Sequence, residues 1–150
     1  MLYNVLMEKI VSTAEAMQQE AASFIAQLTP RRDGATIVAL SGDLGAGKTT
    51  FTKGIAKALG VETEVTSPTF VIEKIYPLSG QKWERLIHID MYRLNGAHEL
   101  PAIGWDEFSK DTSNLIVIEW PEQVEGAMPE GTITIGFKDS ENDTRIVTFN

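Results

Sequence analysis

The sequence predicts an α/β fold: a mixed, mainly parallel central sheet flanked by helices, with a C-terminal antiparallel hairpin. Two observations indicate this class. Strand-like and helix-like segments alternate early in the 150 residues, and two segments of alternating polarity come last. A chain of this length buries roughly 70% of its unfolded surface and needs no disulfide or metal to fold. Residues 1–150 are therefore expected to form one domain.

The N-terminal part favours a short strand and then an amphipathic helix. Val5–Val11 is the predicted strand, and Ser12-Thr13-Ala14-Glu15 has the spacing of a capping box, with Ser12 as the cap. Pro30 and Gly34 end the helix. Apolar residues recur at helical spacing along one face: Met17, Ala21, Phe24, Ile25 and Leu28.

A second strand and helix follow, joined by a glycine-rich turn. Thr36–Leu40 is an unbroken β-favouring run, typical of a strand buried on both faces. Gly60 stands where the C-cap glycine of the next helix belongs. The predicted buried face of that helix consists of Phe51, Ile55, Ala58 and Leu59.

Five later segments are predicted strands. The last two alternate around a turn at residues 139–143, which predicts an antiparallel hairpin at the sheet edge. The five are Phe70–Tyr76, Leu86–Tyr92, Leu115–Ile118, Thr132–Phe137 and Arg145–Phe149.

The glycine-rich turn carries a phosphate-binding motif. Gly42-Asp43-Leu44-Gly45-Ala46-Gly47-Lys48-Thr49 matches G-x-x-x-x-G-K-[ST]. Its glycines let backbone N–H groups point at phosphate oxygens, and the following helix adds its dipole. Lys48 is expected to reach the β- and γ-phosphates, and Thr49 to offer its hydroxyl to Mg²⁺. The strand–loop–helix context favours a single-domain P-loop NTPase over an incidental glycine-rich turn.

Two predicted strands supply acidic side chains for such a site. Glu119 follows Leu115–Ile118, and the other strand carries His88, Asp90 and Tyr92 on one face. The alternatives are a solvated strand end for Glu119 and a water-facing edge strand for the other three. His88 alone is more often a packed or hydrogen-bonded residue than a ligand.

The segment Thr66-Ser67-Pro68-Thr69-Phe70 has two interpretations. Hydroxyl residues around a fixed proline can order around a γ-phosphate, as switch segments do. Alternatively, Ser-Pro marks only a turn.

Composition excludes several classes of protein. Thirteen basic and 21 acidic residues give a net charge of −8 and a pI near 4.7, which excludes a uniformly basic nucleic-acid binder. With no cysteine, disulfides, thiolate metal sites and a cysteine nucleophile are excluded. No apolar run reaches the ~18 residues of a membrane span, and no signal-peptide pattern opens the chain. A cytoplasmic protein without membrane contact is expected.

An ordered set of segments resembles one family. The segments occur in this order: LSGDLGAGKTTFTKGIAKALGV, SPTF, HIDMYR, EL followed by IGWDEF, and IEWPE. Together they resemble the bacterial TsaE (YjeE) family, the small P-loop ATPases of tRNA threonylcarbamoyladenosine biosynthesis. The likeness runs from about residue 12 to residue 122.

The resemblance implies a role for each matching residue. Lys48, Glu119, Asp90 and Thr69 would form the catalytic set, with Thr69 in the switch segment. Thr49, Asp90 and Glu119 would hold Mg²⁺. The nucleotide would contact Gly42, Asp43, Leu44, Gly45, Ala46, Gly47, Lys48, Thr49, Thr50 and Trp120.

The resemblance also implies an activity and partners. The chain would be an ATP-binding, slowly hydrolysing accessory subunit that acts with TsaD, which carries the transferase chemistry, and with TsaB. It would touch tRNA only through that complex, and direct DNA binding is not expected. Residues 99–150 hold 3 basic and 11 acidic residues. This acidic part either faces a basic partner surface or only aids solubility.

Three other functions compete on the residues alone. A small-molecule P-loop kinase would surround the transferred group with arginines, and here only Arg31-Arg32 are clustered. A GTP-dependent switch would carry Asn-Lys-x-Asp, which is absent. A nucleotide-binding scaffold without hydrolysis would not need the two acids at the strand ends.

Overall fold

The computed structural model describes residues 7–43, 45–63, 65 and 73–150. Its strands are β1 Met7–Val11, β2 Thr36–Gly42, β3 Glu73–Pro77, β4 Arg85–Asp90, β5 Asn114–Glu119, β6 Ile133–Asp139 and β7 Arg145–Phe149. Its α-helices are α1 Ala14–Gln27, α2 Lys48–Ala58 and α3 Trp105–Phe108. Two 3-10 helices span Ala97–Ile103 and Pro121–Val124.

The seven strands form one sheet in the order β1-β7-β6-β2-β5-β4-β3. The four central strands, β6-β2-β5-β4, are parallel to one another. The outer pairs are antiparallel. The predicted α/β class with a mixed sheet, parallel at its centre, is confirmed.

One prediction and one alternative about the sheet edges are wrong. The β6–β7 hairpin does not form the edge, because β1 pairs with β7 and covers it. The strand that carries His88 is not an edge strand, because β4 lies between β5 and β3. On its polar face His88 is completely buried, whereas Asp90 is partly exposed and Tyr92, beyond the strand end, is exposed. Strand β4 also ends at Asp90, two residues before the predicted end.

Helix α1 begins one residue later than the capping-box spacing predicts. The cap is Thr13, whose Oγ1 accepts a hydrogen bond from the Ala16 N–H at 3.0 Å. That N–H belongs to the third helical residue, the usual partner of a capping hydroxyl. The predicted buried face is confirmed: Met17, Ala21 and Ile25 are buried, and Phe24 and Leu28 are partly buried.

Helix α2 packs against both α1 and the sheet. Phe51, Ile55 and Leu59 are buried as predicted, but Ala58 is exposed and Ala56 is buried in its place. The two-sided packing turns the buried face toward Ala56. A Cβ at Gly54 would lie 2.7 Å from Gln18 Cα, so glycine allows α1 and α2 to approach closely. Gly60, at φ 79°, follows the helix end as predicted.

Each face of the sheet carries its own apolar core. One face packs on α1 and α2 around residues such as Phe51, and the other packs on the segment that contains Leu100 and Trp105. Strands β2, β4 and β5 therefore end between two packed layers, which fixes the side chains at their carboxyl ends. Among the described helices, none has the length and apolar character needed to cross a membrane.

Candidate functional site

The glycine-rich loop connects the end of β2 to the start of α2. Two of its glycines are required, for different reasons. A Cβ at Gly42 would overlap the Phe137 carbonyl oxygen. Gly47 has φ 110°, in the region that favours glycine, and a Cβ there would also displace the flexible end of the Met17 side chain. Leu44 lies outside the described residues.

Lys48, the first residue of α2, is only 4% exposed. Its Nζ donates to the Gly42 carbonyl oxygen at 2.7 Å and lies 3.5 Å from the centroid of the Trp120 ring. Burial lowers the pKa of Lys48, and the nearby carboxylates of Glu119, Glu122, Asp90 and Asp43 oppose that shift. The ammonium group is therefore held between a backbone carbonyl and an aromatic face.

Glu119, the last residue of β5, lies beside Lys48 and is 3% exposed. Its Oε2 is 2.6 Å from His88 Nε2, and its Oε1 accepts a hydrogen bond from Thr49 Oγ1 at 3.4 Å. The solvated strand end proposed as an alternative for Glu119 is therefore wrong. The hydrogen-bonded interpretation of His88 is confirmed.

The register of the parallel strands explains why His88 and Glu119 are in contact. Asp90 of β4 is paired with Glu119 of β5, and His88 with Val117. Residues paired in this way, and those two positions away, project from the same face. His88, Asp90 and Glu119 therefore converge beside the start of α2.

A cavity of about 330 Å³ brings most of the predicted site residues together. Asp90 Oδ1 also accepts a hydrogen bond from the Tyr92 N–H at 3.0 Å. The cavity is lined by Gly45, Gly47, Lys48, Thr49, Thr50, Asp90, Tyr92, Glu119 and Trp120.

Three predicted loop residues do not line this cavity. Gly42 contributes its carbonyl to Lys48, and Asp43 is exposed. The side chain of Ala46 is buried in the core, and its N–H donates to the Asp43 carbonyl at 3.1 Å. Thr69 and the rest of the predicted switch segment lie outside the described residues.

Trp120 follows Glu119 in a strained backbone conformation. Its φ of 60° and ψ of 51° lie in the left-handed region, which costs a non-glycine residue about 1–2 kcal/mol. Its ring packs on Tyr92 with centroids 5.1 Å apart. Gln123 fixes the Tyr92 backbone by donating to its carbonyl at 2.8 Å. This geometry places the indole over Lys48.

A second cavity, of about 170 Å³, opens on the other side of the loop. It shares Gly45, Gly47 and Thr50 with the first cavity. Sequence reasoning missed Asp143 and Arg145, because no local motif marks them. The remaining walls come from the start of α1 and the β6–β7 turn: Val11, Ser12, Thr13, Ala14, Met17, Asp143 and Arg145.

The oxygen atoms around the first cavity suit Mg²⁺. Thr49, Asp90 and Glu119 all line it, and hydroxyl and carboxylate oxygens are the ligands that Mg²⁺ prefers. Among the described residues, no group of three or more His, Asp or Glu side chains could hold a metal alone. A magnesium ion here would therefore also need oxygens from a bound phosphate and water.

Comparisons with known proteins agree on one family. The model of the family described as threonylcarbamoyl adenosine biosynthesis protein TsaE matches residues 11–147. The chain is 40% identical over 113 residues to the tRNA threonylcarbamoyladenosine biosynthesis protein TsaE of Treponema pallidum, covering 75% of this chain and 80% of that protein. It is 40% identical over 109 residues to the protein of that name from Streptomyces coelicolor, covering 72% of each.

A solved structure is similar as well. The crystal structure of YdiB from Bacillus subtilis superimposes with a TM-score of 0.71 at 29% identity. The match covers 97% of this chain and 84% of that chain.

Proposed function

Because this chain belongs to the TsaE family, we propose that it binds Mg²⁺-ATP and hydrolyses it slowly as an accessory subunit in tRNA threonylcarbamoyladenosine biosynthesis. One observation carries the proposal. Lys48 and Thr49 of the loop meet Asp90 and Glu119 of two neighbouring strands around one cavity. This is the arrangement of cation, hydroxyl and carboxylates that phosphoryl chemistry on a P-loop requires.

The surroundings of Lys48 support a polyphosphate as the ligand. Its ammonium group is 2.7 Å from the Gly42 carbonyl and 3.5 Å from the Trp120 ring centroid, contacts that a phosphate could replace at the same place. The first residues of α2 line the same cavity, and the free backbone N–H groups of a helix start favour an anion. Burial lowers the pKa of Lys48, and an incoming anion would, like the nearby carboxylates, favour the charged ammonium.

Glu119 is placed to activate or orient the attacking water. Oε2 is engaged by His88, so Oε1, on the side of Thr49, is the oxygen available to accept a hydrogen bond from water. Thr49, Asp90 and Glu119 would hold Mg²⁺, which would neutralise charge on the phosphates.

The basal rate is expected to be slow. Lys48 is the sole cationic side chain among the described residues that line the cavity. Arginine fingers contribute about 10³–10⁵ to phosphoryl-transfer rates when a partner supplies them. The same lack of arginines weakens the kinase alternative, and we propose that a partner stimulates hydrolysis.

The second cavity fits the nucleoside end of the ligand. It adjoins the phosphate cavity at Gly45, Gly47 and Thr50, and it combines the apolar Met17 with Arg145. A base and ribose could lie there while the phosphates reach Lys48.

TsaD and TsaB are the proposed partners, with tRNA held elsewhere in a cytoplasmic complex. Glu122 and Glu125 are both exposed, and Glu122 is near enough to Lys48 to act on its charge, which is consistent with docking on a basic protein surface. Reversing both charges to lysine should then weaken partner binding and reduce its salt dependence. Binding indifferent to salt and to these substitutions would support the solubility role instead.

Reconstitution tests the proposal directly. A TsaB–TsaD pair supplied with substrate tRNA and an activated threonylcarbamoyl donor should perform multiple rounds of modification only when this chain and ATP are present. The Lys48→Ala protein is the inactive control. Lys53→Ala, on the same helix but outside the cavity lining, is its matched substitution. Equal multiple-turnover modification without this chain, or efficient phosphorylation of a metabolite by the chain alone, would contradict the proposal.

A further inference from the structure

We propose that His88 is a positioning residue for ATP hydrolysis, which holds the Glu119 carboxylate in its productive orientation from behind. The inference rests on the proposed hydrolytic function and assigns a role to a residue outside the phosphate cavity. His88 does not line that cavity, so its effect on the reaction would be transmitted through Glu119.

The His88–Glu119 contact is the shortest of those that Glu119 makes with the described side chains. His88 Nε2 lies 2.6 Å from Oε2, whereas Thr49 Oγ1 lies 3.4 Å from Oε1. A carboxylate oxygen accepts hydrogen bonds, so the histidine tautomer that pairs with it carries the hydrogen on Nε2. At 2.6 Å this contact is shorter than the usual N–H···O hydrogen bond.

Rigid surroundings make this hydrogen bond directional. His88 is in the middle of β4, with hydrogen-bonded strands on both sides, and its side chain is 0% exposed. With Oε2 fixed by such a partner, rotation of the Glu119 carboxyl group is restricted. Oε1 is thereby kept on the side of Thr49 and the cavity.

Packing alone does not explain a histidine here. No described residue forms a hydrogen bond with His88 Nδ1, although this atom is buried. A buried polar atom without a partner costs about 1–3 kcal/mol. Leucine would fill a similar volume without that cost, whereas the polar Nε2–H would be lost. Histidine at position 88 is expected if the benefit of orienting Glu119 is larger than the cost of burying Nδ1.

Three substitutions separate positioning from packing. His88→Leu removes the donor, His88→Gln places an amide N–H close to the former Nε2, and His88→Asn places one close to the former Nδ1. Partner-stimulated kcat, KM and ATP affinity would be measured for each variant, with thermal unfolding to verify folding. His88→Leu should lower kcat about ten- to a hundredfold, as the loss of a residue that orients a reacting group commonly does, with little change in ATP affinity. His88→Gln should recover most of the rate, and His88→Asn should not.

A double-mutant cycle tests the route through Glu119. In a Glu119→Gln background, His88→Leu should cause little further loss, because the group that it positions has already been disabled. Additive losses, a wild-type kcat in His88→Leu, or equal rates for His88→Gln and His88→Asn would overturn the inference. A wild-type chain that hydrolyses no ATP with its partners would overturn the proposed function as well. That result can be distinguished from a failure of the His88 inference, because it would be seen with the wild-type chain alone, before any variant is compared.

Discussion

The two cavities on either side of the P-loop are built differently. The first cavity takes its walls from the loop, the start of α2 and the ends of β4 and β5. The second cavity joins the ends of β1 and the start of α1 to the β6–β7 turn. Buried groups, Lys48 and Glu119, dominate the first, whereas the charged groups of the second are in an exposed turn and a partly exposed strand. The buried charged groups are therefore concentrated in the first cavity, whereas the second cavity is distinguished mainly by its shape.

Removing the buried cation tests this contrast most severely. Lys48→Ala is expected to abolish Mg²⁺-ATP binding, a loss of about a hundredfold or more in affinity, because charge-assisted hydrogen bonds contribute about 1.5–3 kcal/mol each. Isothermal titration calorimetry would measure it against Lys53→Ala. Unchanged affinity would remove the phosphate role of Lys48.

Glu119→Gln separates binding from chemistry within the first cavity. The amide keeps the shape but cannot serve as a base, so hydrolysis should fall about a hundredfold or more while ATP affinity is largely retained. Single-turnover hydrolysis beside equilibrium binding would check this. A wild-type rate would exclude Glu119 from the chemistry.

Arg145→Ala addresses the second cavity alone. ATP affinity should fall by less than for Lys48→Ala, and affinity for inorganic triphosphate, which has no nucleoside, should stay the same. Asp139→Ala is the matched control, because it removes the 2.9 Å ion pair with Arg145 but keeps the arginine. If Arg145→Ala weakened the binding of inorganic triphosphate as much as that of ATP, the assignment of the phosphates to the first cavity and the nucleoside to the second would be wrong.

Thr13→Ala should produce the smallest effect. Loss of the α1 cap costs about 1 kcal/mol, which lowers Tm by about 2–4 °C in a chain of this size. Thr13→Ser keeps the capping hydroxyl and should show little change. Calorimetry of both proteins would check the cap, and equal Tm values for the two would contradict it.

The same division separates what the sequence could predict from what it could not. The first cavity follows from a local motif and from acids at strand ends, which predict Lys48, Thr49, Asp90 and Glu119, while the family resemblance adds Trp120; the structure brings all five together. Their chemical roles remain predictions.

Other features depend on partners distant in the chain. The covering of β7 by β1 and the presence of Arg145 in a cavity require long-range pairing that no local pattern reports. The contact of His88 with Glu119 depends on strand register. The helix cap was misplaced by one residue because Ser12 and Thr13 can both cap, and only the helix start decides between them.

The pairing of β1 with β7 has a consequence for how the protein is made. Met7 and Phe149 are about 140 positions apart, and closing so long a loop loses much chain entropy before any contact forms. During synthesis β1 emerges first, yet it has no strand beside it until Arg145–Phe149 has been made. The β2–loop–α2 unit can form earlier from neighbouring residues. A nascent chain would therefore form its glycine-rich loop first, and the pocket between Thr13 and Arg145 would be completed last.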